Sequence, residues 1–548
     1  MRRTPRRTPR RTPRWSPFAA AAVAAALLTA PLVTPAATGQ RPDPAALPVV
    51  RVAVADAATA ARVASEFDET HEHHPGFVEI VLWPGDAERL HRLGLRWTVV
   101  TPDLRSDASE SRGPDVLVKA PGPDRDDYRR LPDYEKELKD LAKRHPKLIR
   151  LVTLPHKTLE GRRVYGIEIA HNVRAVDGRP AFLVDGLHHA REWPAGEFPM
   201  IYAHQLAEGY GKKAAITSLL KKLRVFVVPV VNVDGFDYSR EAPVDGNAVV
   251  GQAAYWRKNR RSITGMTAPE PLAINPDAYG VDPNRNYGYM WGDDKDGSSS
   301  VPVDETHRGA APYSEPESRN IEQLLLGRPV TALVTNHTSG RLVMHPWGWT
   351  EAKTPSSEEK HFDRLGELMA DAMDGYQNIS AFDLYLTSGG SRDWAYGALG
   401  TLAYTFEHGT SFHPPYSAGV GNVYEGVLDA FHIAAKAAID PRLHSVVSGT
   451  VTKGGRRVPA KLTLTKKIVN PLWPNNPSGK AAVSETFKAT TVANGGTFSW
   501  HVNPSVRPWL SGGSKETYTL TVSYGGRTKT FRILAKRGQA IRLGTIRL

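Results

Sequence analysis

The chain has 548 residues, 41% hydrophobic and 23% charged, which is enough apolar material for two to four packed domains and too much for wholesale disorder. Its net charge of +13 describes no single region: residues 1–40 hold seven arginines and no acid, residues 41–120 nine bases and 13 acids, and residues 441–548 18 bases and two acids, leaving a mildly acidic middle. The absence of cysteine excludes disulfides, thiolate metal sites, iron–sulfur clusters and cysteine nucleophiles, so any metal must sit on His, Asp or Glu.

The chain opens as a targeting segment over residues 1–38. An arginine-rich run precedes the apolar stretch Phe18 to Val33, which is short and proline-interrupted, and small residues follow it. The expectation is export with cleavage at about residues 36–40, and hence a secreted protein, extracellular or wall-associated; the arginine pairs leave the export route open. No later stretch is apolar enough for a stable membrane span. Residues 41–105 read as a small α/β module of strand, helix, strand, helix and strand. Residues 106–124, rich in Ser, Pro and Gly, read as a protease-exposed linker.

From residue 125 to 438 a helix, LPDYEKELKDLAKRHP, is followed by the strands RVYGIEIA, RPAFLVDGL, LRVFVVPVVN and VTALVTNH among helical patterns. This alternation predicts an α/β class with a mixed, largely parallel sheet flanked by helices. After Pro441 the pattern changes to short alternating strands, SGTVTK, AKLTLTK, TYTLTVSY, TKTFRIL and IRLGTIRL, separated by glycine turns. Residues 441–548 are therefore expected to form a basic β-sandwich.

The chemistry begins where a strand runs into HHAREW. His189 and Glu192 are three residues apart, a spacing that puts an imidazole and a carboxylate on one side of a turn. A capped helix start explains that pair equally well, so the reading depends on a third ligand. His337, at the end of VTALVTNH, is the candidate, because a second sheet strand can bring it to the same edge. Two histidines and a carboxylate are a catalytic zinc set, for which carboxypeptidase A is itself the standard example of His2Glu ligation.

The ordered blocks HAREW, NVDG, YWRKNR, VDPNRN, YSEPES, HTSGRLVMHPWG, SGGSRDWAY and TFEHG, spread over about residues 125–435, make the chain resemble the zinc carboxypeptidases of the carboxypeptidase A family. The residue 41–105 module resembles that family's inhibitory propeptide by pattern rather than motif. The resemblance implies a zinc metallocarboxypeptidase made as a zymogen, with peptide or protein C-termini and an activating protease as partners. It implies one zinc per catalytic domain, held by His189, Glu192 and His337, with Asp282 orienting His189. Glu407 would be the general base, taking a proton from the attacking water and delivering it to the leaving amine, and Arg257 would polarise the scissile carbonyl. Asn284, Arg285 and Tyr385 would grip the terminal carboxylate, and Arg191 would touch substrate farther from the cut.

Arg392, in SGGSRDWAY, stands where the family places the floor of the pocket for the terminal side chain, with Thr387 and Thr405 beside it. A guanidinium there favours C-terminal Glu or Asp and repels Lys or Arg. Several plain structural roles compete: a turn residue for Asp282, a loop tyrosine for Tyr385, a surface ion pair for Arg191, and an Arg392 tied up by Asp393. His188, His345, His408 and His413 are expected to be structural or solvated. Two further readings stay open. One is a cell-wall peptide hydrolase of the same fold, and the other is a non-catalytic protein that binds an anionic cell-wall polymer through the basic C-terminal region.

Overall fold

A computed structural model describes residues 47–104, 125, 127–241, 253–262, 280–302 and 304–504, together with 516–548, except residues 75, 84 and 294–296. The expected signal segment and the 106–124 linker lie outside the described residues, as do the basic residues Arg105, Arg112 and Lys119, near which an activating cut is expected.

The N-terminal module comprises β1 (Val49–Ala53), α1 (Ala57–Glu66), β2 (Asp68–His74), β3 (Phe77–Val81), α2 (Asp86–Arg92) and β4 (Trp97–Thr101). Its sheet runs in the order β2-β3-β1-β4, with antiparallel neighbours. The polar strand β2 has the sequence DETHEHH, in which nothing alternates in hydrophobicity, so it carries no strand signal of its own; its pairing to β3 makes it a strand.

The central region comprises α3 (Leu131–Arg144), β5 (Ile149–Thr153), β6 (Tyr165–Ile169), β7 (Ala181–Gly186), α4 (Pro194–Gly209), α5 (Ala214–Lys222), β8 (Arg224–Val228) and α6 (Val233–Glu241). It continues through α7 (Pro316–Leu326), β9 (Val330–His337), β10 (Leu342–His345), α8 (Ser356–Asp371), β11 (Gln377–Ser380), α9 (Ser391–Leu399), β12 (Leu402–Glu407) and α10 (Tyr424–Ile439). Helix α3 forms because Leu131, Tyr134, Leu138 and Leu141 make one buried stripe, and the Asp133 carboxylate accepts from Arg130 N at its start.

The eight strands run in the order β11-β10-β12-β9-β7-β8-β6-β5. The centre, β12-β9-β7-β8, is parallel; β6 and β5 close one side antiparallel, and β10 enters antiparallel to β12. Every residue of β7, β9 and β12 is buried, as expected for strands covered by helices on both faces. The carboxyl ends of these three adjacent strands therefore open on one crevice.

The C-terminal region comprises β13 (Ser445–Lys453), β14 (Arg456–Arg457), β15 (Lys461–Pro471), β16 (Ala482–Val492), β17 (Thr497–Val502), β18 (Glu516–Tyr524), β19 (Arg527–Ala535) and β20 (Ala540–Arg547). One sheet is β14-β13-β17, with β20 parallel to β13, and the other is β16-β15-β18-β19. Their inward residues, among them Val447, Trp500, Leu464, Phe487 and Leu520, join the core cluster of the central region. Strands β16 and β17 are not among those expected from the sequence, although TFSWHV alternates strictly and its burial alternates with it.

Candidate zinc site and its cavity

Strand β7 ends at Gly186, and the loop after it turns sharply, with Leu187 at φ 56°, to deliver His189 and Glu192 before α4 begins at Pro194. Asn232 holds that loop in place by donating to the carbonyls of His188 (3.2 Å) and Lys258 (3.0 Å), and Ala190 N donates to Arg257 O (2.9 Å). His337 is the last residue of β9, next to β7. Glu407 is the last residue of β12 and pairs with His337 in the ladder, so both side chains leave the sheet on the same face.

His189 Nδ1 lies 2.6 Å from Glu192 Oε1, His337 Nδ1 lies 2.9 Å from Glu192 Oε2, and the two Nδ1 atoms are 3.2 Å apart, with all three side chains buried. Behind them, His189 Nε2 faces Asp282 Oδ1 at 3.3 Å and His337 Nε2 faces Thr335 Oγ1 at 3.4 Å. For a metal-bound state the imidazole protons would sit on Nε2, towards Asp282 and Thr335, leaving both Nδ1 lone pairs and the Glu192 carboxylate to converge on one point. Such a set needs a cation. Bonds of about 2.0–2.1 Å to zinc in a tetrahedron separate the donors by roughly 3.4 Å, so the donor set, at 2.6, 2.9 and 3.2 Å here, fits zinc after a small outward shift of its side chains. Among the described residues one other cluster, His345, Glu359 and Asp363, brings metal-binding atoms together, but its carboxylates are half-exposed.

The electrostatics follow from burial and charge. Burial alone would raise the Glu192 pKa, but His189 and His337 hold it well below the usual carboxylate range. Asp282 is likewise buried yet lowered, by Arg257 first and then His189; it accepts from Arg257 Nη2 at 2.9 Å and so joins His189 to Arg257. Glu407 goes the other way. Burial, then Glu192 and Glu69, pushes its carboxyl well above the ordinary value, against the pull of Arg257 and Arg392, and its Oε2 has no hydrogen-bond partner.

Beside these groups lies a cavity lined by His189, Asn284, Arg285, Tyr385, Arg392 and Glu407, with Met344, Leu384, Thr387 and Thr405 on its walls. Asn284 Oδ1 accepts from Ser391 N (3.0 Å), at the start of α9, and Arg285 Nη2 lies 3.5 Å from the Tyr385 hydroxyl. Arg392 donates from Nε to Asp393 (3.1 Å) and from Nη1 to Thr405 (3.2 Å), so it is both anchored and on the cavity wall. Met344 and Gly348 were not singled out in the sequence. A Cβ on Gly348 would stand 2.1 Å from Thr387 Oγ1 and 2.5 Å from Arg392 Nη2, so glycine leaves room for the guanidinium.

His189, Glu192 and His337 come together, Arg257 is joined to His189 through Asp282, and Asn284, Arg285, Tyr385, Arg392 and Glu407 line the cavity, whereas Arg191 does not line it. That guanidinium is fully buried, packs over Phe412 (4.2 Å) and pairs through Nη1 with Asp68 of the N-terminal module. Asp68 also accepts from Trp83 Nε1 (2.8 Å), Arg89 reaches Asp304 (2.6 Å), and Ser339 Oγ donates to Thr70 O (3.3 Å). The N-terminal module thus lies against the loops that follow β7 and β9. None of His188, His345, His408 and His413 is solvated: all four are buried, His188 against Tyr287 and His408 between Asn336 and Tyr376.

A zinc carboxypeptidase family model matches residues 134–418, more than half of the chain, and the chain belongs to that family. Among curated relatives, human carboxypeptidase B is 27% identical over 301 residues, covering 54% of this chain and 66% of the relative. Mouse carboxypeptidase A2 is 29% identical over 287 residues, covering 51% and 62%. The chain therefore spans less than two thirds of the length of these relatives. In structure it is similar to a carboxypeptidase A from Helicoverpa armigera (TM-score 0.58, 22% identity, 72% of this chain and 97% of that one). It is also similar to thrombin activatable fibrinolysis inhibitor (TM-score 0.56, 20% identity, 72% and 98%). At those identities the structural likeness speaks to the fold alone.

Proposed function

We propose that the protein is an exported zinc metallocarboxypeptidase, made in latent form, that releases single residues from peptide C-termini with a preference for acidic ones. The observation that carries this reading is the company His189, Glu192 and His337 keep: one cavity beside them is lined by Glu407, whose Oε2 has no hydrogen-bond partner, and by Asn284, Arg285, Tyr385 and Arg392.

His189, Glu192 and His337 would hold zinc, which when bound supplies a positive charge that activates water and polarises a carbonyl. Glu407, buried and with a free oxygen, is suited to take a proton from the attacking water and pass it to the leaving amine. Arg257, held by Asp282, presents a fixed positive charge to the oxygen of the scissile carbonyl. Asn284, Arg285 and Tyr385 bind the free carboxylate, which limits cleavage to the chain end. Arg392 faces the terminal side chain. Asp393 orients it and offsets part of its charge, so the acidic preference is graded rather than absolute.

Latency is supported by the burial of Arg191 against Asp68 and by the seating of β2 near the crevice. Activation by a protease would cut upstream of Arg125, because Arg125 and Tyr128 are buried parts of the central region; Tyr128 donates to Pro414 O at 2.7 Å. Export rests on the sequence of residues 1–38.

The test is zinc analysis combined with hydrolysis of peptides that differ only in the last residue, before and after removal of the N-terminal module. Loss of one residue at a time, fastest from Glu-ended peptides after trimming, is expected. Internal cleavage, or turnover without stoichiometric metal, would overturn the reading.

A further inference from the structure

The sheet β16-β15-β18-β19 presents one face to the core and the other to solvent, and the solvent face has an unusual composition. Its ladder registers place Thr490, Thr463, Thr521 and Thr530 in one row across all four strands, and Lys488, Thr465, Thr519 and Arg532 in the next. Lys461 and Lys467 stand farther along β15, on the same face as Thr463 and Thr465, because residues two apart share a face. Strands about 4.8 Å apart put Lys488 and Arg532 roughly 14 Å from each other, and six residues put Lys461 and Lys467 about 20 Å apart. The result is a floor of hydroxyls framed by four cations.

Ordinary surfaces intersperse both signs of charge. Here the 441–548 region has only two side-chain carboxylates, Glu485 and Glu516, and both are buried. Glu485 accepts from Trp394 Nε1 and Asn470 Nδ2, and Glu516 pairs with Lys466 Nζ at 3.0 Å. No acidic side chain therefore remains on the surface of this region to neutralise its lysines and arginines. Lys461, Lys467, Lys488 and Arg532 form no ion pair among the described residues.

Lysines on edge strands also deter sheet-to-sheet pairing, and that would account for Lys488 and Arg532. It does not account for Lys461 and Lys467 on the interior strand β15, nor for the exclusion of exposed acids.

We infer that this face binds a linear, anionic polyol-phosphate polymer and holds the protein on it. The cations match the phosphodiesters, and the threonine rows, each hydroxyl both donor and acceptor, match the free hydroxyls of the polyol. Nucleic acid fits less well. The face carries no aromatic side chain on which a base could stack, and a four-stranded face is too broad for a groove that admits a helix or a two-stranded ribbon.

The test uses the full chain, with poly(glycerol phosphate) immobilised as the probe at low salt. The variant K461Q/K467Q/K488Q/R532Q should lose about tenfold or more in affinity. R456Q/R457Q/R542Q/R547Q, on the other sheet and of the same net charge, should change by less than about threefold, and added salt should release the wild type. In parallel, bound polymer should protect Lys461, Lys467 and Lys488 from acetylation but leave Lys453 and Lys480 reactive, a readout that needs no variant. Equal loss in both variants, no loss in the first, uniform protection, no binding by the wild type, or competition by duplex DNA at equal phosphate each overturn the proposal.

Discussion

Arg191 Nη1 donates to Asp68 Oδ2, and neither side chain reaches solvent, although the two residues are 123 positions apart. Arg191 sits next to Glu192 of the candidate zinc triad, so the pair fastens the N-terminal module to the loop that carries two of the three ligands.

Removing one member of a buried pair strands the other charge, at about 3–5 kcal/mol. Asp68→Asn should therefore loosen the module and raise peptidase activity of the intact protein about tenfold or more, towards that of the trimmed form. Unchanged activity of intact Asp68→Asn would show that this pair does not restrain the enzyme.

Glu407→Gln keeps the size of the side chain and leaves His189, Glu192 and His337 in place. Zinc content should stay at one per chain, while kcat falls by about 10²–10⁴ and KM changes little. Near-normal turnover with full metal would remove Glu407 from the role of base.

Arg392 decides specificity in this reading. Arg392→Asp should reverse the order of preference, lowering kcat/KM for Glu-ended peptides and raising it for Lys-ended ones, each by about tenfold or more. A wild-type enzyme that cleaves terminal Phe or Lys faster than Glu would defeat the assignment.

Helix α9, which carries Arg392, is braced by the C-terminal region at two points: Trp394 Nε1 donates to Glu485, and Lys466 Nζ donates to Ala398 O at 2.8 Å. Glu485→Ala leaves the Trp394, Tyr313 and Asn470 donors without their acceptor, at about 1–3 kcal/mol for each buried group. The melting temperature should drop, and the ratio of kcat/KM for Glu-ended over Phe-ended peptides should fall. Glu485→Gln should restore most of both, and an unchanged ratio would mean that the contact serves stability alone.

Burial raises the Asp86 pKa to about 7 in spite of Arg89. The folded module thus holds a proton that the unfolded chain, with an ordinary carboxyl near 4, has released across the interval between those values. Stability must then fall as pH rises from about 4 to about 7 and level off above it. Hydrogen exchange in residues 47–104 should quicken from pH 5 to pH 7.5 beyond its intrinsic pH dependence, and Asp86→Asn should remove the excess. An excess that persists in Asp86→Asn would assign the effect to other groups.

The amino-acid sequence by itself determined the strands of the sheet centre, because β7, β9 and β12 are covered on both faces and are written as mainly apolar runs whose polar residues gather towards the carboxyl end. It also determined the ligand types, since without cysteine only His, Asp and Glu remained, and it singled out Glu407 as a carboxylate set among apolar neighbours.

The tertiary structure decided what no local pattern encodes. Glu192 and His337, 145 positions apart, become one site only because β7 and β9 are neighbours in the sheet, and Glu407 joins them through its register with His337. Strand β2 exists only through its partner β3. Asp68 and Glu485 look like ordinary surface acids in sequence, and each acquires its meaning from a partner on a distant element, Arg191 in one case and Trp394 in the other. Hydrophobic period and residue type are local quantities, whereas pairing, burial and the charge felt at a buried carboxylate are set by which elements pack together.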